Sequence, residues 1–210
     1  MLKKHQNLVL NFLGVILILL GIAAIFNAFY YEGLERYYAV FWMCYTSLII
    51  IGFGMLFKKG DLIKSQIYIL AIADLFWIVD FFSIILLKKS LFGITEYFFY
   101  PGPLLPKIVT LQHLIVIPIA IYALSFLKFK RENGWKLSLL QLTAFYIVTK
   151  TLTPTSLNIN CVHRACGTLL GDFGKFYPLA WFLSAFAIVF ITRFIFIKLY
   201  EKLDKKRVRK

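Results

Sequence analysis

Acidic residues are scarce in this chain, with ten Asp and Glu against twenty-four Lys and Arg over 210 residues, and cysteine and histidine number only three each. A long polar block is missing altogether. That leaves no place for a separate soluble domain or a low-complexity linker, and no internal repeat is visible. The few potential metal ligands are dispersed. His163 lies between Cys161 and Cys166, but His5 and His113 fall in other segments, and a structural zinc site wants four ligands. The cysteine pair is therefore expected as a disulfide or as free thiols, and no residue pattern calls for a metal or cofactor. The first apolar run, Leu8–Phe29, has no small-x-small site at its end. It also exceeds the core of a signal peptide, about 7–15 residues, so it is expected to persist as a helix.

The excess of positive charge, formally +14, lies between apolar runs and at the two ends. Nucleic-acid binding wants a continuous basic stripe, so this placement argues against it. Charges so placed read as topology signals and contacts to anionic lipid heads.

Apolar sequence dominates. At 60% hydrophobic with mean hydropathy +0.77, the chain holds more apolar residues than a soluble domain hides. Its 22 Phe, 12 Tyr and 4 Trp suit a lipid–water boundary. A membrane span needs about 20 mostly apolar residues. Six segments qualify: Leu8–Phe29, Tyr38–Phe57, Ile67–Leu87, Lys107–Leu127, Leu137–Leu152 and Phe176–Ile197. The expectation is one all-α domain over residues 1–210, a polytopic bundle of six transmembrane helices with short loops and antiparallel neighbours.

An even number of spans puts both termini on one side. That side takes Lys3, Lys4, Lys58, Lys59, Lys64, Lys128, Lys130, Arg131, Lys136 and the basic tail from Lys198 to Lys210. The other takes only Arg36, Lys88, Lys89, Lys107, Lys150, Arg164 and Lys175. The positive-inside rule then places both termini in the cytoplasm of a cell-membrane protein. Two loops on the other side stand out. KKSLFGITEYFFYPGPLLPK joins an aromatic cluster to three prolines and could lie in the interface as a lid. TPTSLNINCVHRACGTLLGDFGKFYP is the longest and most polar, and its Asn158 and Asn160 are expected to satisfy loop backbone.

Polar residues inside apolar runs are the functional candidates, because hydrocarbon offers them no water. His113 leads. Pro118 cannot donate to the Leu114 carbonyl, so a kink is expected beside it. Asp74 and Asp80 sit about 120° apart on one helix and do not form a side-by-side acid pair. Cys44 and Thr46 differ by about 200°, so one partner can activate only one of them. Cys44 shares its face with Val40, Phe41 and Leu48, which reads as lipid-facing, and this favours Thr46 as the interior group. A membrane Thr, however, often bonds back to its own helix, and a buried Cys often packs as a small apolar group. Taken from the non-cytoplasmic boundary, Thr46 lies ~12 Å, His113 ~9 Å and Asp80 ~10 Å deep at 1.5 Å per residue. Asp74 is nearer mid-membrane. Depth therefore prefers Asp80 as the partner of His113.

The stretches LQHLIVIPIAIYAL, LNIN and LLGDFGKFYPLAW resemble the YwaF-like integral membrane proteins. That group belongs with membrane acyltransferases and androgen-induced threonine hydrolases. The resemblance covers about the second half of the chain. It implies an enzyme acting on lipid acyl esters, with His113 as base and Thr46 or Cys44 in the nucleophile position. Departures are the run NINCVHRAC, the cluster KFYPLAW and fewer or shorter N-terminal spans. The residues leave three readings open: an intramembrane lipid hydrolase or acyltransferase using His113, Thr46 or Cys44, and Asp80; a small proton-coupled transporter using Asp74, Asp80, His113 and Lys150; or a lipid-binding scaffold without catalysis. Against the transporter, no inverted repeat or matching pair of broken helices is visible. Membrane lipids are the expected partners in each case.

Overall fold

In the computed structural model, residues 2–32, 38, 40–127, 133–168, 171 and 173–208 are described. Of the basic residues that set the expected orientation, Arg36, Lys128, Lys130, Arg131, Arg209 and Lys210 lie outside that set, as do the side chains of Lys3 and of residues 201–208. The fold is all-helical, with no strand among the described residues: α1 (Leu2–Glu32), α2 (Met43–Leu56), α3 (Gly60–Leu87), α4 (Glu96–Phe99), α5 (Leu104–Thr110), α6 (Gln112–Phe126), α7 (Gly134–Leu152) and α8 (Tyr177–Val208).

Two ends of the bundle are defined by contacts between distant segments. At one end the turn between α2 and α3 lies near the start of α7, where Gly134 sits against Lys64, Asp61 and Ser65. At the other, Thr168 N donates to Phe92 O at 2.9 Å, and Asn160 bonds to the start of α2. The chain passes between these ends on α1, α2, α3, the α5–α6 pair, α7 and α8. Four segments are long and apolar enough to cross a membrane: Lys4–Tyr30, Gly60–Leu87, Leu104–Phe126 and Gly174–Tyr200. The fourteen residues of α2 fall short of that length.

The central helix is α3, which packs against α2, α6, α7 and α8, while α1 lies against α2 at the side. Leu48, Ile51 and Met55 of α2 meet Ile63, Ile67 and Tyr68 of α3 in the core, joined by Ala120 and Ala123 of α6 and Val189 of α8. The outer faces are just as apolar: Phe12, Phe26, Leu86, Leu140, Leu183 and Phe194 are all exposed. Such a continuous apolar exterior is a liability in water and suits hydrocarbon.

Close helix contact depends on glycine at one crossing. A Cβ on Gly52 would stand 2.6 Å from Gly14 O and 2.6 Å from Ile18 Cγ1, so α1 and α2 touch backbone to backbone there. Small residues at crossings are the usual means of packing helices in lipid, where no hydrophobic drive pushes them together. Polar contacts supply the rest. Gln66 of α3 accepts from Ser47 of α2 at 2.7 Å and exchanges bonds with Gln141 of α7 at 2.7 and 3.1 Å. This buried amide pair ties three helices together and keeps every amide group occupied.

Candidate functional site

The fourth expected span is interrupted, but not where proline predicts. Pro118 lies inside α6, whereas the break falls at Leu111, between α5 and α6. There Leu114 N bonds to Leu111 O at 3.0 Å instead of reaching back to Thr110 O. The Thr110 carbonyl is released, and His113 Nδ1 bonds to it at 2.8 Å. A carbonyl only accepts, so Nδ1 carries a proton and, in the neutral ring, Nε2 keeps its lone pair. The imidazole is also held flat. It stacks on Trp77 of α3 at 4.9 Å between centroids with a 14° tilt, and Trp77 stacks in turn on Phe81 at 4.9 Å.

Asp80 does not orient His113. Its Oδ1 accepts from Ser90 Oγ and from the amides of Leu91 and Phe92 at 2.7–2.8 Å. Its Oδ2 accepts from the amides of Ile94 and Thr95 and from Thr95 Oγ1 at 2.8–2.9 Å. The physical reason is local. Lys88 turns left-handed at the end of α3 with φ 56°, and the chain folds back so that its amides point at the carboxylate. Six short donors leave that carboxylate no reason to seek an imidazole. Similar depth was a poor guide to adjacency.

Asp74 is different. It is 3% exposed, and among the described residues its Oδ2 has no hydrogen-bond partner. On α6, Gln112 is 2% exposed, and both its Oε1 and Nε2 likewise lack a partner among the described residues. Cys44 of α2 lies within electrostatic reach of Asp74 and close to the Gln112 amide. Asp74 of α3 and Gln112 of α6 therefore both approach Cys44 of α2, and Gln112 is the residue before His113 in sequence. Leaving a buried polar group unpaired costs about 1–3 kcal/mol, so this cluster stands out from the well-satisfied Gln66 network.

The choice between Cys44 and Thr46 also changes. Thr46 Oγ1 donates to Met43 O at 3.1 Å, within its own helical turn. Cys44, itself half-buried like Thr46, lies on the same face of α2 as Leu48, Ile51 and Met55, each 0% exposed. Apolar neighbours do not separate the core side from the lipid side, because Leu is equally at home in either. Among the described residues no hydrogen bond joins Cys44 or Thr46 to His113.

The long polar loop closes the same end. Cys161 and Cys166 form a disulfide with a Cα–Cα distance of 5.6 Å, and Cys44 is the free cysteine. Asn158 organises the loop locally, accepting from the amides of His163 and Arg164 at 3.0 Å each. Asn160 reaches much further. Its Oδ1 accepts from Met43 N at 3.0 Å, and its Nδ2 donates to Phe41 O at 2.6 Å, so it fixes the first turn of α2 next to Cys44. Lys150 donates to Val162 O at 3.3 Å in this loop. It therefore does not sit with Asp74.

Gln112, Trp77 and Tyr97 were missed by sequence reasoning. Gln112 was the legible one, an amide next to His113 in an apolar run. Trp77 and Tyr97, joined by an indole-to-phenol bond of 3.1 Å, look in sequence like ordinary boundary aromatics. No family model, curated protein or solved structure matches the chain.

Proposed function

We propose that this protein is a multi-pass membrane enzyme acting on lipid acyl groups, a hydrolase or acyltransferase, with Cys44 as nucleophile and His113 as base. The supporting observation is the placement of the free thiol within reach of two buried side chains, Asp74 and Gln112, whose Oδ2 and amide group have no hydrogen-bond partner among the described residues, with Gln112 next in sequence to His113, whose Nε2 is the basic nitrogen. The proposal includes six spans with both termini cytoplasmic, which the division of Lys and Arg between the two ends supports. It agrees with the resemblance of the second half to YwaF-like proteins.

In the proposed step the Cys44 sulfur attacks an ester carbonyl and its proton passes to His113 Nε2. The Gln112 amide N–H faces the oxyanion that develops, where it finds the partner it otherwise lacks. Collapse expels the alcohol, which takes the proton from His113 and leaves a thioester on Cys44. Water or a second lipid hydroxyl then attacks that thioester, and the thiol is restored. Catalytic hydrogen bonds often close only in the substrate complex, which fits the separation of thiol and imidazole here.

The test is covalent labelling of the purified protein with an acyl-thioester donor, with the adduct mapped by mass spectrometry. The expected adduct is on Cys44, unchanged by Thr46→Ala and reduced at least about 100-fold by His113→Ala. An adduct on Thr46, or Cys44 labelling that survives His113→Ala, overturns the assignment. A second reading, proton-coupled transport, is favoured by Asp74 alone, since a buried carboxyl in a bundle with one oxygen lacking a partner among the described residues is a common proton-carrier feature. Proton flux in liposomes that vanishes with Asp74→Asn selects it.

A further inference from the structure

A cleft of about 130 Å³ lies beside the break between α5 and α6, at the start of the apolar segment Leu104–Phe126. Tyr97, Tyr100, Pro103, Lys107 and Thr110 are among its lining residues. None of the chemistry above uses it. Its walls have an unusual composition: aromatic faces, prolines that bring no amide donors, and one cation.

We infer that this cleft binds the phosphate of a membrane glycerophospholipid, with Lys107 as its counter-ion. The Lys107 ammonium stands 5.9 Å from the centre of the Phe98 ring, and no ion pair occupies it among the described residues. The carboxylate nearest in sequence, Glu96, is exposed and contacts Tyr100 Oη at 3.5 Å. Tyr97 Oη accepts from the Trp77 indole at 3.1 Å, and its side chain also interacts with Thr110, so the phenol is held at the cleft wall. The level is right for a headgroup. Tyr97, Tyr100, Leu104 and Ile108 are all more than half exposed around the mouth, the pattern of an aromatic belt at the lipid–water boundary. From Ile108 at the mouth, Ile115 and Tyr122 continue an exposed track along α6, where acyl chains can lie. The cleft is too small for a whole lipid and suits a headgroup with its tails outside.

Thr110 connects this cleft to the site already described. It lines the cleft, and its carbonyl holds His113 Nδ1 at 2.8 Å. A lipid anchored by its phosphate there sits about one helical turn from the imidazole. The step from bound lipid to substrate rests on the acyl-transfer reading, while the binding itself does not.

Native mass spectrometry of the full chain in detergent tests the binding. The probes are phosphatidylglycerol, the matching diacylglycerol, and inorganic phosphate as competitor. The expected result is one tightly held phosphatidylglycerol per chain. Lys107→Ala should weaken it at least about tenfold, and Lys107→Arg should restore it. Lys175→Ala serves as control, because Lys175 lies over the Phe176 ring at the same end of the bundle, and should change binding less than about twofold. Equal loss in the Lys175 variant, or equal binding of diacylglycerol, overturns the site. Displacement by inorganic phosphate at equal concentration overturns the lipid as occupant and leaves a free-phosphate site. Cys44→Ser should keep the bound lipid. Lipid retained by a protein that gives no Cys44 adduct refutes the enzyme reading alone.

Discussion

Asn160 joins three parts of the chain through one side chain. It bonds to Met43 N, Phe41 O and Thr149 Oγ1, and its backbone carbonyl accepts from the Trp181 indole at 3.1 Å. Its φ of 53° is left-handed, a conformation that Asn tolerates better than most residues. Asn160→Ala removes three side-chain bonds at about 1 kcal/mol each and adds backbone strain, so we expect a loss of about 3 kcal/mol in thermal unfolding. Asn160→Gly relieves the strain and should recover only part of it. Nearby, burial and the Lys150 charge hold the His163 imidazole below its ordinary value of 6.5. Among the described residues its Nε2 has no hydrogen-bond partner, so protonation brings a donor with nothing there to meet. The unfolded chain takes up this proton first as pH falls. The stabilisation is therefore complete above about pH 6.5 and is lost as pH drops through the lower folded value. Melting temperatures from pH 8 to pH 5 should fall less steeply for His163→Gln than for the natural chain. At this scale the sequence showed which side chains were out of place in an apolar run. It did not show their partners, since the six donors to Asp80 come mostly from backbone amides of a loop whose fold-back no pattern announces.

The helices themselves were legible because long apolar runs bounded by Lys and Pro have few alternatives. Their faces were not. In a soluble bundle an apolar stripe marks the core, but here the core and the exterior are equally apolar, so neighbours such as Val40, Phe41 and Leu48 do not say which way Cys44 faces, and Cys44 and Thr46 are both half-buried. Small residues carry the information that periodicity loses. Gly14 and Gly52 mark the α1–α2 crossing, and Gly167, with φ 68°, would place a Cβ 2.1 Å from Phe92 O, marking the contact of the two loops. Gly52→Ala should force α1 and α2 apart and lower stability by about 1–3 kcal/mol. Ala73→Gly, at an exposed position on α3, serves as a control for the helix-propensity cost of glycine, about 1 kcal/mol. A Gly52→Ala protein that melts above the natural chain by as much as Ala73→Gly melts below it would mean the crossing carries no packing energy.

Across the whole molecule the contacts define two ends, and the charges sort between them. Lys58, Lys59, Lys64 and Lys136 lie at the end where the α2–α3 turn meets the start of α7. Lys88, Lys89, Lys107, Arg164 and Lys175 lie at the disulfide end. The six spans proposed above require α2 to cross despite its fourteen residues, about 21 Å at 1.5 Å per residue. That is short of the roughly 30 Å hydrocarbon core, so on that proposal the membrane thins around α2. Labelling with a membrane-impermeant maleimide in intact cells distinguishes a crossing α2 from one that stays on one side. Cys161 and Cys166 should react after reduction without permeabilisation. In a Cys44→Ser background with those two cysteines intact and oxidised, Ser90→Cys should react in the same way. Lys58→Cys and Asn133→Cys should react only after permeabilisation. Reaction of Lys58→Cys from outside would leave α2 as a helix that enters and returns, and would move the Cys44 site from between spans to the rim of the bundle. Reaction of all five positions from the same side would remove the two-ended arrangement on which the proposed cytoplasmic placement of the termini depends.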